Sequence, residues 1–175
     1  MSVVGGPTPP LVVFAGLPGA GKTTLARAAA RGLGATYLRV DTVEQTLRAG
    51  GTLPAGVVAE GYAVAYGVAA DNLALCRPVV ADQVNPLGLT RDAWRAVADA
   101  AGARLVDVEV VCSDASEHRR RVEARTSDIP GLALPTWDEV QARAYHAWDR
   151  PRLVLDTAGR DVDVCVAAVL AHVRG

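Results

Sequence analysis

The sequence predicts an α/β fold in which one parallel sheet is covered by helices on both faces. Two observations carry that reading. Short strand-like apolar segments recur at residues 11–15, 36–40, 78–81, 105–111 and 153–155, and the first is continuous, as in a strand buried on both sides. Segments with helical character fall between them, which turns the series into strand–helix–strand units. A chain of 175 residues, half of them hydrophobic, suits one domain around one core, spanning 1–175.

In chain order, the strand at 11–15 runs into a glycine-rich turn. A helix follows over 22–31, ended by Gly32 and Gly34. The second strand, 36–40, closes on Asp41, and a short helix at 43–49 stops at Gly50 and Gly51. Residues 50–56 read as a loop. A longer helix covers 57–76, with Gly61 and Gly67 as weak points. The third strand, 78–81, ends at Asp82, and residues 83–89 form a loop. Thr90 caps a helix reaching Ala101. The fourth strand, 105–111, leads to a helix capped by Ser113 or Asp114 and running through Arg125. Residues 126–135, with two prolines and a glycine, make a loop. Thr136 caps a helix over 137–148, the fifth strand occupies 153–155, and a last helix covers 162–173.

Composition excludes several classes of function. A net charge of −1 gives no basis for broad capture of nucleic acid or anionic lipid. The apolar run at 11–15 is too short for a membrane span or signal core, and no basic segment precedes it. Cys76, Cys112 and Cys165 are far apart, in apolar surroundings and without metal-ligand spacing, so buried reduced thiols are expected. These features point to a cytoplasmic protein without a membrane partner, as monomer or homodimer.

The strongest local signal is Gly16-Leu17-Pro18-Gly19-Ala20-Gly21-Lys22-Thr23, the phosphate-binding spacing of two glycines, lysine and a hydroxyl residue, here followed by Thr24. It lies between a buried strand and a helix, where that motif requires it. The glycines let successive amides turn toward phosphate oxygens, and the helix adds its N-terminal dipole. Lys22 would reach the β- and γ-phosphates, and the Thr23 hydroxyl would help hold Mg²⁺. Lys22 is the sole lysine beside 17 arginines, at the one place where a compact ammonium differs in kind from a planar guanidinium.

Two aspartates fall at carboxyl ends of strands, where open α/β sheets bind ligands. Asp82 is assigned mainly to the metal shell and Asp41 mainly to an acceptor hydroxyl, though each could cap its following segment and the roles could be exchanged. Asn85 could bind substrate or make an Asn-Pro turn. Arg119, Arg120, Arg121 and Arg125 crowd one helix. They read either as a solvated face, with Glu117 and Glu123 as partners, or as a clamp on the moving phosphoryl group that closes with loop 126–135. Tyr62, Tyr66 and Asp71 share a helix, and the tyrosines either line an acceptor pocket or pack in the core. Trp94, Trp137 and Trp148 read as core or lid packing. His118, His146 and His172 form no triad or metal set.

Taken together, GLPGAGKTT at 16–24, Val40-Asp41, Val79-Val80-Ala81-Asp82, Arg121-Val122-Glu123-Ala124-Arg125 and Leu153-Val154-Leu155-Asp156-Thr157 resemble small P-loop kinases: chloramphenicol phosphotransferase, gluconate kinase, adenylylsulfate kinase and the kinase domain of polynucleotide kinase. The resemblance implies a three-layer P-loop NTPase fold like that of nucleoside monophosphate kinases. It implies strand order 2-3-1-4-5 and a small lid at approximately 119–148. It places Arg121 near the adenine, Arg125 on phosphates, residues 157–160 with Ala158 beside the base, and Asp41 on the acceptor hydroxyl. Gly16, Gly19, Ala20, Gly21, Lys22, Thr23, Thr24, Arg121 and Ala158 would then bind ATP. Thr23 and Asp82 would hold Mg²⁺, and Lys22, Asp41 and Arg125 would be catalytic. The expected activity is transfer of the γ-phosphoryl group to a hydroxyl of a small molecule, such as an antibiotic, a sugar or another metabolite. Two alternatives stand beside it: a kinase acting on a nucleic-acid end or an RNA-bound residue, and a nucleotide-dependent switch in which Gln83 positions water.

Overall fold

The computed structural model describes residues 8–51 and 59–175. The residues ahead of Thr8, most of the expected 50–56 loop and the start of the expected 57–76 helix lie outside the described part.

Five strands form one sheet: β1 (Pro10–Ala15), β2 (Thr36–Arg39), β3 (Val79–Asp82), β4 (Arg104–Val111) and β5 (Leu153–Asp156). Every pairing is parallel, and the order is β2-β3-β1-β4-β5, as the family resemblance implies. The central strand β1 is fully buried from Leu11 to Ala15, which explains its unbroken apolar run. Seven helices accompany the strands among the described residues: α1 (Lys22–Leu33), α2 (Val40–Ala49), α3 (Ala59–Ala74), α4 (Gly88–Ala101), α5 (Ala115–Glu123), α6 (Trp137–Ala142) and α7 (Val162–Arg174).

Successive residues of β1 face opposite sides, so the core divides in two. Val12 and Phe14 pack with Leu25, Ala29, Val169 and Val173 of α1 and α7. Leu11 and Val13 pack with Tyr62, Ala69, Leu73, Trp94 and Ala98 of α3 and α4. This is the three-layer P-loop NTPase architecture. Both carboxyl-end turns of β1 and β3 open on the same edge, where Gly16 N–H donates to the Val84 carbonyl at 3.0 Å. No described helix is long and apolar enough to cross a membrane.

Several expected boundaries move. The second strand stops at Arg39, and α2 begins at Val40 instead of Val43. Asp41 therefore sits in the first turn of a helix and not at a strand end, where its charge suits the helix dipole. α4 begins at Gly88, before Thr90, because the Thr90 hydroxyl is engaged by Asn85 Oδ1 at 2.7 Å and the Leu87 carbonyl at 2.9 Å. α5 ends at Glu123, which leaves Arg125 beyond the helix. The largest difference is α6, six residues long instead of 137–148. Beyond it, the carbonyls of His146 and Ala147 turn to the buried guanidinium of Arg91, at 3.0 and 3.2 Å, and leave the helical ladder.

Gly61 proves to be a contact and not a weak point: a Cβ there would lie 2.3 Å from Cγ of Glu44, so glycine lets α2 and α3 close together. Cys112 and Cys165 are buried as expected, but Cys76 is exposed. It leaves α3 in a left-handed conformation, φ 57°, that turns its thiol to solvent before β3 begins.

Candidate active site

Residues 16–23 wrap the carboxyl end of β1. Gly16 has φ 136°, and a Cβ on it would lie 2.1 Å from the Val110 carbonyl oxygen, so only glycine allows the loop to leave the strand against β4. α1 starts at Lys22 with no side-chain cap and no acidic residue in its first turn, which leaves its N-terminal amides for an external anion. His118, buried on α5, bonds through Nε2 to the Pro18 carbonyl at 2.8 Å and packs edge-on against Trp137. It clamps the loop from the α5 side. The sequence placed it in no triad or metal set and gave no sign of this partner.

The loop faces a cavity of about 290 Å³ walled by Gly19, Gly21, Lys22, Thr23, Thr24 and Arg125, among others. Gly16 and Ala20 were expected among the nucleotide-binding residues, but both stand behind this wall. The Gly16 amide is spent on Val84, and the Ala20 amide on Leu17 at 3.3 Å. Lys22 Nζ donates to the Leu17 carbonyl at 2.9 Å. Burial pulls its pKa down to about 8, against the opposing pull of Asp82 and Asp41. The strong desolvation marks a charge that gains by meeting an anion.

Arg121 bridges the phosphate cavity and a neighbouring one lined by Thr24, Leu25, Thr157, Arg160 and Cys165. Its guanidinium is fixed by Thr157 Oγ1 at 2.7 Å, the Thr157 carbonyl at 3.0 Å and Glu117 at 2.5 Å. Thr157 and Arg160 line the second cavity, whereas Ala158 is not among its walls and donates its N–H to Asp156. Arg119 pairs with Glu123 at 2.7 Å, so part of the arginine cluster is the solvated face considered above. Arg125 makes no ion pair with any described residue and borders both the phosphate cavity and the next one.

That next cavity, about 220 Å³, brings Lys22, Thr23 and Arg125 together with Asp41, Asp82 and Gln83. Asp82 is buried at the end of β3, and its Oδ2 accepts the Tyr37 hydroxyl at 2.7 Å. Hydroxyl and carboxylate oxygens of Thr23 and Asp82 border the same space, a hard-oxygen set that fits Mg²⁺ shared with phosphates. No described group of three or more His, Cys, Asp or Glu forms an all-protein metal cage.

Beyond Asp41 lies a third cavity, about 380 Å³, lined by Val40, Tyr62, Tyr66, Leu87 and Leu89 along with Glu44 and Arg143. Both tyrosines line it, while Asp71 is exposed and takes no part. Asn85 has φ 48°, its N–H donates to Tyr62 Oη at 3.1 Å, and it serves the turn. Glu44 is pushed up to about 7, chiefly by burial, despite Arg48 at 3.3 Å.

Sequence reasoning missed four participants. Buried Arg39 ends β2 and reaches Asp128 in the loop between α5 and α6 at 2.8 Å, with its Nε 3.9 Å from Asp82. Asp128 also pairs with Arg27 of α1. The signal for Arg39 was a charged residue closing an apolar strand. Arg143 and Glu44 carried no comparable signal, since both lie in ordinary amphipathic helical sequence.

The sequence profile of a family described as AAA domain matches residues 11–146. No curated protein sequence matches the chain at a significant level. Among solved structures, adenylylsulfate (APS) kinase CysC from Mycobacterium tuberculosis, in complex with AMPPNP and APS, superposes with a TM-score of 0.71 at 24% identity, covering 97% of this chain and 100% of that one. A gluconokinase from Sinorhizobium meliloti gives 0.68 at 20% identity over 95% and 93% of the two chains. Kti12 from Chaetomium thermophilum, in complex with ADP-AlF3, gives 0.68 at 21% over 95% and 100%.

Proposed function

This chain belongs to the AAA domain family, and from that premise we propose that it is an ATP-dependent phosphotransferase acting on a hydroxyl of a small molecule. The observation that carries the reading is a shared wall. Asp41 borders both the space next to Lys22 and Thr23 and the separate cavity toward Tyr62 and Tyr66. A donor pocket and an acceptor-sized pocket thus share a wall that carries Asp41, with Glu44 beside it. Transfer to water needs no second cavity, and a net charge of −1 offers a nucleic-acid end no broad basic surface.

In this reading the loop amides, Lys22 and the α1 N-terminus hold the ATP phosphates, and Arg121 with the Thr157 turn borders the base. Thr23 and Asp82 would hold Mg²⁺, which offsets phosphate charge when bound. Asp41 orients the acceptor. Its carboxylate takes the hydroxyl proton as the acceptor oxygen bonds to the γ-phosphorus, the bond from that phosphorus to the bridging oxygen breaks, and ADP leaves. Unpaired Arg125 meets the charge on the moving group.

The AMPPNP and APS complex supports nucleotide use on this fold, and the varied names of the neighbours leave the acceptor to experiment. The test is a mass-resolved screen of hydroxyl compounds with ATP and Mg²⁺. A phosphorylated product that disappears with Asp41→Asn is expected. ATP hydrolysis that ignores every acceptor and rises only with a protein partner would replace this reading with the switch.

A further inference from the structure

The cavity beyond Asp41 is polar at one end only. Asp41, Glu44, Gln83 and Arg143 form the wall it shares with the phosphate side. The rest includes Val40, Pro86, Leu87, Ala93 and the two tyrosines, with exposed Leu89 and with Thr90, whose hydroxyl is held by Asn85 and Leu87. The tyrosine hydroxyls are already engaged: Tyr66 donates to the Thr90 carbonyl at 3.2 Å, and Tyr62 accepts the Asn85 N–H. Both side chains add aromatic carbon to the wall, and the Tyr62 O–H keeps one donor. Leu89 is 77% exposed, an apolar side chain that no described neighbour covers.

Gln83 is the unexplained member of the shared wall. It is 2% exposed, yet neither its Nε2 nor its Oε1 has a hydrogen-bond partner among the described residues. A buried carboxamide without partners costs free energy, and such groups persist where a ligand satisfies them. One amide offers both a donor and an acceptor, which matches a hydroxyl or a group beside one.

Resting on the phosphotransferase reading for the identity of the reacting group, we infer that the acceptor is a neutral molecule with a ring-sized apolar body, its hydroxyl delivered to Asp41 and read by Gln83. The apolar body lies between Tyr62, Tyr66 and Leu89. A polyol would leave most of its hydroxyls unpaired against these walls. An anionic acceptor would face one guanidinium, Arg143, beside the two carboxyl groups of Asp41 and Glu44. Gln83 is thereby a specificity-determining residue.

The experiment uses the full chain and three probes, phenoxyethanol, ethoxybenzene and gluconate, with binding read by saturation-transfer NMR and dissociation constants by titration. Phenoxyethanol is expected to bind about tenfold tighter than gluconate and about fivefold tighter than ethoxybenzene, which lacks only the hydroxyl. Gln83→Leu should level the two aryl probes without weakening ethoxybenzene. Leu89→Glu, at an exposed site that leaves folding intact, should weaken both aryl probes about fivefold. Gluconate binding as tightly as phenoxyethanol, no binding of either aryl probe, or aryl binding indifferent to both substitutions would overturn the inference. The same samples carry ATP and Mg²⁺ for mass analysis. ATP-dependent phosphorylation of gluconate would remove this acceptor class and keep the kinase. Aryl binding with ATP bound and no probe or screened alcohol ever phosphorylated would keep the pocket and remove the kinase.

Discussion

The phosphate side of the site is built around eight consecutive residues, 16–23, whose shape depends on backbone: a glycine at φ 136°, uncapped amides and a helix start. The acceptor side is walled by side chains from α2, α3, the turn after β3, α4 and the residue that ends α6. A backbone cradle tolerates few alternatives and recognises what every phosphate shares. A side-chain pocket can be refilled without disturbing the sheet, and this is how one fold serves many acceptors. Substitutions on the phosphate side should therefore silence the protein for every acceptor, whereas those beyond Asp41 should discriminate among acceptors.

Lys22→Ala tests the first half of that contrast and should have the largest effect. Removing the only ammonium from the cradle should lower turnover about 10³-fold for any acceptor, with thermal stability retained or raised because a desolvated charge is gone. Steady-state kinetics beside a melting curve measure both. In the wild type, binding of ATP should weaken as pH rises past about 8, where burial lets the ammonium lose its proton. Full turnover without the lysine would end the distinction between the two sides.

Asp41→Asn tests the junction. Loss of the proton-accepting carboxylate should lower turnover about 10²-fold while ATP affinity changes little. If ATP affinity falls instead, Asp41 belongs to the metal shell and the roles of Asp41 and Asp82 are exchanged.

The same contrast explains what could be read from the sequence. The phosphate loop and the Thr136 cap follow from spacing within a few residues, the strand order was implied by the family resemblance, and all are present. Asp82 was legible because it ends an apolar strand. Gln83 was visible only as a residue that might meet water, since its isolation depends on Tyr62, Asp41 and Arg143 arriving from elsewhere. Arg91 was missed for the same reason. Its four carbonyl partners, on Asn85, Pro86, His146 and Ala147, and its position 4.0 Å over the Trp148 ring arise only when residues 143–152 fold back. That strap also ended α6 early, against a helix-like local sequence.

Glu44 sharpens the acceptor side by pH. Burial raises its pKa to about 7 from an ordinary 4.5, so between these values the folded state keeps a proton that the unfolded state has released. Stability should fall as pH rises through that window and level off above it. Asp107, raised by burial to about 6, contributes with the same sign. Glu44→Gln should flatten part of the fall, about 1–2 kcal/mol between pH 5 and pH 8 on the linkage scale. Urea titrations at those two pH values measure it. An unchanged slope would mean that Glu44 ionises normally and that the acceptor wall is wet.

The smallest expected effect belongs to Asp128, which ties the loop between α5 and α6 to α1 through Arg27 and to β2 through Arg39. Its carboxyl is held well below the usual range by hydrogen bonds to Arg39 and then Arg27. Because its pKa is depressed, the stabilisation is complete above pH about 4 and lost as acid protonates it. The side chain is 49% exposed, so solvent screening limits the pairs to about 1 kcal/mol or less. Asp128→Asn should therefore leave melting nearly unchanged at neutral pH. It should instead act on the phosphate side, since Asp128 and Arg39 both wall that cavity. With the Asp128 charge gone, Arg39 keeps only its 3.9 Å contact to Asp82 beside the incoming phosphates, and nucleotide affinity should rise a few-fold, most at low salt. Calorimetric titration with ATP at two ionic strengths decides it: equal affinity in variant and wild type at both would confine the latch to holding the loop.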